Sequence, residues 1–114
     1  DLENLIWRGI VLFDNKERDF GDGKIKPDHM VWVYTASALP AVSSNGAADW
    51  QWVHRDRFSQ LNIQPGDYVL LDWAEKKEGI FSGVIKYKGK ALHHSKATFY
   101  RTNGTSYIIE DVKT

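Results

Sequence analysis

Trp32 and Tyr34 are the residues whose spacing best suits contact with a ligand. They alternate with Val31 and Val33 in the segment Met30–Tyr34. Because successive side chains of a β-strand point to opposite faces, the two rings are predicted to share one face and the two valines the other. Exposed aromatic rings suit protein interfaces and nucleic-acid bases alike, so this segment is the first candidate for a binding surface.

A second aromatic and basic cluster follows in the middle of the chain. Trp50 and Trp52 are one residue apart and precede His54, Arg55 and Arg57. The cluster can extend a binding surface. The favoured interpretation is that the two indoles are buried as the anchor of a long loop.

No group of residues has the pattern of a catalytic or metal site. His93 and His94 are adjacent but lack Asp, Glu or Cys residues at ligand spacing, so they make a poor metal site. Ser43 and Ser44 have no recognisable base and orienting group. Gly21–Gly23 lacks the other glycines and the helix of a phosphate-binding loop, which favours a turn. We therefore expect no enzymatic activity, no cofactor and no metal.

Composition predicts one globular domain without a strong charge. The 114 residues match a single domain over residues 1–114, and a hydrophobic content of 42% suffices for a packed interior. Fifteen basic and fifteen acidic residues cancel, so nucleic-acid binding must rest on local geometry. The absence of Cys excludes disulfides and favours a reducing compartment. No apolar run is long enough to span a bilayer, so we expect no membrane association and a cytoplasmic location, or a nuclear one in a eukaryotic cell.

Runs of β-branched and aromatic residues, punctuated by turn signals, predict an all-β chain. Gly9 indicates a bend or bulge in the first strand, and the pair Asn103-Gly104 predicts a type I′ turn in a terminal hairpin. The strands at 68–73 and 80–87 are expected to pair as a hairpin. The small residues at 40–49 predict a long excursion, 50–54 a strand or anchor, and 56–61 a helical turn. The predicted strands are 5–14, 20–25, 30–34, 68–73, 80–87, 98–101 and 106–109.

Several of these segments together resemble the cold-shock domain. The family's opening strand is matched by Gly9–Asn15, its first ribonucleoprotein motif by Arg18–Gly21, and its second by Val31–Tyr34 followed by Ser37–Leu39. Gln64–Val69 and Ile80–Val84 are similar to its fourth and fifth strands. The resemblance covers residues 7 to 87. It implies a five-stranded OB-type antiparallel barrel with a core over about 5–87, a long loop after the third strand and an additional C-terminal β-hairpin within an extension over 88–114.

The resemblance also implies a binding site for single-stranded nucleic acid, with RNA preferred over DNA. In that family bases stack on an aromatic sheet face, each stack contributing about 1 to 3 kcal/mol. The departures from the family are Leu12 in place of a usual Lys, Asp14 in place of a usual Phe, and Asp22 in place of the second aromatic. The implied platform is Phe13, Phe20, Trp32 and Tyr34 on one face, and the implied phosphate contacts are Lys16, Arg18, Lys24 and Lys26.

Two alternatives remain open at this point. In the first, Phe13 and Phe20 belong to the core, and Trp32 and Tyr34 are covered by other parts of the chain. In the second, the domain is a non-catalytic module for protein interaction or assembly. Asp14, Asp19 and Asp22 lie among the cations and oppose phosphate at close range, which favours the second alternative.

Overall fold

The computed structural model describes residues 2–38, 57, 60, 63–76 and 79–113, which form a five-stranded mixed sheet and one helix. The predicted excursion at 40–49 and the segment 50–54 lie outside the described residues, as does most of 56–61. Among the residues that are described, no helix is long and apolar enough to cross a lipid bilayer.

The first two strands form a long antiparallel ribbon. Strand β1 spans Leu2–Asp14 and strand β2 spans His29–Ala38. The register shifts between Trp7 and Gly9, which confirms the bulge predicted at this glycine. The prediction of a strand at 20–25 is wrong, because this segment lies in the irregular connection between β1 and β2.

The second correction concerns residues 68–73, which form a helix and not a strand. Helix α1 spans Pro65–Glu75, with proline in its first turn, where a missing N–H has no consequence. Its inward positions recur at helical spacing, whereas its aromatic and aliphatic content alone also suits a strand. The residues that face the sheet are Gly66, Val69, Leu70, Trp73 and Ala74.

The helix brings the chain back so that β3, Ile80–Lys88, runs parallel to β1. Strands β4 (Ala91–Tyr100) and β5 (Ser106–Val112) then add antiparallel neighbours, which confirms the predicted terminal hairpin. In its turn only Gly104 has a positive φ (+88°), so the predicted type I′ conformation is wrong. The strand order is β2-β1-β3-β4-β5. The fold is therefore mostly β with one helix, the sheet is mixed and not closed, and the antiparallel barrel is not confirmed.

The core lies on the one face of the sheet that α1 covers. Ala97 and Phe99 of β4 belong to it, so the segment beyond residue 87 supplies part of the same interior. Gly83 leaves room for the helix, because a Cβ there would lie 2.6 Å from Cζ3 of Trp73. The Gly66 N–H donates to Oη of Tyr87 over 2.7 Å and fixes the start of the helix on the sheet. The buried hydrophobic residues are Val11, Phe13, Val33, Trp73, Phe81, Ile85, Tyr87, Ala97 and Phe99.

Candidate interaction surface

The sheet face opposite α1, called here the open face, presents Trp32 and Tyr34. Their side chains are 60% and 52% exposed, whereas Val33 between them is 6% exposed. The alternation predicted from the sequence therefore holds along β2, and the two rings are together on one face.

The other two predicted platform rings lie elsewhere. Phe13 is 4% exposed and stacks on His29 with 4.9 Å between ring centroids, on the covered face. Phe20 is half-buried in the connection between β1 and β2, outside any strand. The prediction that all four rings share one face is wrong. Phe13 pairs with His29 and therefore shares its face, and in β2 the odd-numbered His29 points to the opposite face from the even-numbered Trp32 and Tyr34.

The structure instead places Trp7 beside Trp32. Their ring centroids are 5.8 Å apart with planes inclined by 40°. Arg8 is the extra residue at the bulge, so Trp7 lies opposite Tyr34 on the open face. Simple alternation along β1 would instead place Trp7 on the covered face, because the core residues of this strand are also odd-numbered. We call Trp7, Trp32 and Tyr34 the aromatic strip.

Aliphatic side chains surround the aromatic strip. Ile10 is paired with Trp32, and Leu12 is paired with Met30, which is 58% exposed. Across the next strand, Val84 is opposite Leu12 and 36% exposed. The open face near β1 and β2 is therefore apolar over several neighbouring side chains, a pattern associated with interaction sites.

The four predicted phosphate contacts lie in the connection over 15–28, at the Asp14–His29 end of the ribbon. Lys16 Nζ is 3.1 Å from Oδ2 of Asp28, and Lys26 Nζ is 3.2 Å from Oδ2 of Asp22. Lys24 is exposed in the same connection, and its N–H donates to Oδ1 of Asp22. The Trp7–Tyr34 pair lies near the middle of the ribbon and not at this end, so the structure does not bring these cations together with the whole aromatic strip.

Arg18, the remaining predicted contact, is held by rings. Its guanidinium carbon is 4.5 Å from the centroid of Phe20 and 3.9 Å from that of Tyr87. A cavity of about 280 Å³ opens beside it and is polar in its lining. The lining residues are Arg18, Asp19, Phe20, Gly21, Gln64 and Lys90.

Hydrogen bonds shift the pKa values of the carboxylates in this connection. The backbone N–H of Asn15 and then Lys16 hold the pKa of Asp28 below its ordinary value. Asn15 itself is 1% exposed, and its Nδ2 donates to the carbonyl oxygen of Pro27 over 2.9 Å. The connection is therefore tied to the sheet by a buried amide and by an ionised Asp28.

Basic side chains elsewhere on the open face also have acidic neighbours. Lys86 Nζ lies 3.0 Å from Oε2 of Glu17, and its hydrogen bond lowers the pKa of that carboxyl group. His94 Nε2 lies 2.7 Å from Oε2 of Glu110. Within the part of the chain that the structure describes, no three His, Cys, Asp or Glu residues are arranged to hold a metal ion.

Comparisons with known proteins add no relative. Scans against protein-family models, curated proteins and solved structures gave no significant match to this chain. The resemblance to the cold-shock domain stays a prediction based on its short motifs.

Proposed function

We propose that this chain is a non-catalytic interaction module that binds a protein partner through the aromatic strip. The observation that carries the proposal is the exposure of Trp32 and Tyr34 beside the half-buried Ile10 and Leu12. Aromatic side chains are enriched at protein interfaces, where charged groups are depleted from the centre.

Charge supports a protein partner over a polyphosphate. Lys16, Lys26 and Lys86 each lie within 3.2 Å of a carboxylate oxygen. A phosphate that approached any of them would also approach that carboxylate and be repelled by it. An apolar partner surface can cover the aromatic strip without disturbing these ion pairs.

The test is retention of a protein after nuclease treatment. The tagged wild-type chain is expected to hold a stoichiometric protein from its source cells, and the double variant Trp32→Ala/Tyr34→Ala is expected to lose it. Tyr100→Ala is the matched control, because Tyr100 is 46% exposed but lies on β4, away from the aromatic strip. Equal retention by the double variant contradicts the proposal.

Single-stranded nucleic acid is the second candidate, favoured by the two exposed rings that share one face of β2. The cold-shock resemblance and its OB-type barrel belong to this candidate, with RNA preferred over DNA. Short oligonucleotides would then quench tryptophan emission, with an affinity that falls as salt rises. The double variant would abolish the quenching, and Tyr100→Ala would preserve it. Absence of quenching in the wild-type chain at low salt rules out this candidate.

A further inference from the structure

Strand β2 is an edge of the described sheet, and its own residues lack the charges and prolines that protect many edge strands from pairing. Its ten residues, His29–Ala38, contain no Lys, Arg, Asp, Glu or Pro. It is the terminal strand in the sheet order, and no described strand pairs with its outer side. An edge rich in β-branched and aromatic residues offers backbone N–H and C=O groups to a further strand.

The opposite edge of the sheet is different. Strand β5 has seven residues and carries Glu110 and Asp111, with Lys113 directly after it. Short length and charge are the features that keep edge strands from pairing. Of the two edges in the described sheet, β2 is therefore the one suited to accept another strand.

We propose that β2 pairs antiparallel with β2 of a second copy of this chain, about a two-fold axis at Val33. This inference rests on the proposed function and names the partner. In this register Trp32 of each copy lies opposite Tyr34 of the other copy, so two such pairs form on the open face. The same register places Val31 opposite Thr35, and Val33 opposite itself, on the covered face.

The sequence of β2 is complementary to itself in this register. Nine residues of each strand, 29–37, find partners, and no like charges meet, because β2 has no charged residue apart from His29 when it is protonated. Aromatic pairs directly across an antiparallel ladder are stabilising. The zero net charge of the chain adds no repulsion between copies at long range.

The two aromatic strips then meet across the axis. Trp7 already lies 5.8 Å from Trp32 in one copy, so each Trp32–Tyr34 pair between copies adds to an existing ring contact. The result is a continuous ten-stranded sheet with one aromatic cluster at its centre. A two-fold interface of this kind is closed and does not propagate into a fibre.

Charge exchange at positions 32 and 34 tests the pairing. Wild-type chain, studied pure by sedimentation equilibrium, is expected to be a dimer. The variants Trp32→Lys/Tyr34→Lys and Trp32→Glu/Tyr34→Glu are each expected to be monomeric, since losing two aromatic pairs alone raises the dissociation constant roughly 5- to 150-fold. Mixing the two variants is expected to restore a one-to-one heterodimer, because Lys and Glu then face each other. Ile108→Lys, on β5, is the control that remains dimeric.

Single cysteines test the register, since the chain has no native Cys. Residues directly opposite in an antiparallel pair have Cα atoms about 4.5–5.5 Å apart, within disulfide range. Val33→Cys is therefore expected to cross-link two copies under mild oxidation. Ala36→Cys is expected not to cross-link, because in this register the residues at position 36 of the two copies lie six positions apart.

Several outcomes would overturn the inference. The first is a wild-type chain that stays monomeric up to its solubility limit, and the second is a dimer that both charged variants preserve. The third is failure of the mixed variants to associate although each keeps its far-UV circular dichroism. The fourth is cross-linking of the Ala36→Cys variant but not of the Val33→Cys variant. A monomer that still retains another protein through Trp32 and Tyr34 overturns the second copy and leaves the proposed function standing. A chain that binds no protein, itself included, overturns both.

Discussion

Trp32 and Trp73 carry the same side chain on opposite faces of the sheet, which makes truncation to alanine a direct test of the open face. Trp73 is 2% exposed and Trp32 is 60% exposed. An enclosed tryptophan buries on the order of 200 Å², which at about 25 cal/mol per Å² corresponds to about 5 kcal/mol. Trp73→Ala is therefore expected to lower the free energy of unfolding by about 3–5 kcal/mol. Trp32→Ala, which removes less than half of that contact, is expected to cost about 2 kcal/mol or less.

Urea denaturation followed by far-UV circular dichroism measures both costs. Dichroism is preferred because each variant removes one of the five tryptophans that give the fluorescence signal. The measurement is made below the dissociation constant of any dimer, so that one chain unfolds in each event, and unchanged m-values confirm that the same surface is exposed. A cost for Trp32→Ala equal to that for Trp73→Ala would mean that the indole of Trp32 is enclosed in solution. The open face would then be unavailable to a partner, and the proposed function would fail with it.

Three further predictions concern stability. Gly83→Val is expected to cost about 1–3 kcal/mol in urea unfolding, because the new side chain overlaps the Trp73 ring. Gly104→Ala is expected to cost about 1–2 kcal/mol in the same assay, since its φ of +88° disfavours a Cβ although no atom lies within 4 Å; no loss would contradict the turn geometry. The folded pKa of Asp28 lies below its ordinary 3.8, so its contribution is complete above that value and is lost as pH falls through the lower folded value. Unfolding free energies measured across acid pH should fall less steeply in Asp28→Asn, and an identical slope would contradict the hydrogen bond from Asn15.

Sequence reasoning succeeded where one short-range pattern decides the structure. The alternation of valines with Trp32 and Tyr34 correctly divides β2 between two faces. It failed at Tyr68–Trp73, where aromatic and aliphatic residues predict a strand but every buried or half-buried core contact follows a helical period. Pro65 stands at the start of α1, and the first turn of a helix is well suited to proline. In this segment the local composition favours a strand, whereas the spacing of the inward positions favours a helix. The packing of Trp73 against Gly83 agrees with the helical spacing.

The candidate site could be predicted only in part, because it depends on how strands pair. Trp7 has the parity of Val11 and Phe13, which are core residues, and only the register shift before Gly9 moves it to the open face. The sequence indicated a bulge at Gly9 but not which residue it displaces. The resemblance implies that Phe13 shares a face with Trp32, whereas Phe13 pairs with His29 and lies among the buried side chains.

The ion pairs on the open face provide a way to separate the two proposed ligand classes. Exposed pairs such as Lys86 with Glu17 contribute little to stability, so a phosphate could displace the carboxylate at little direct cost. The displaced carboxylate, however, stays on the same surface and still repels the phosphate at close range. The gain from releasing counterions is thereby reduced, and a nucleic acid would bind this face weakly and only at low salt. A partner that covers Trp7, Trp32 and Tyr34 buries apolar surface instead, and that contribution does not weaken as exposed charges are screened. Affinity that persists as salt rises therefore indicates a protein partner, because charge contributes little where these three rings are exposed.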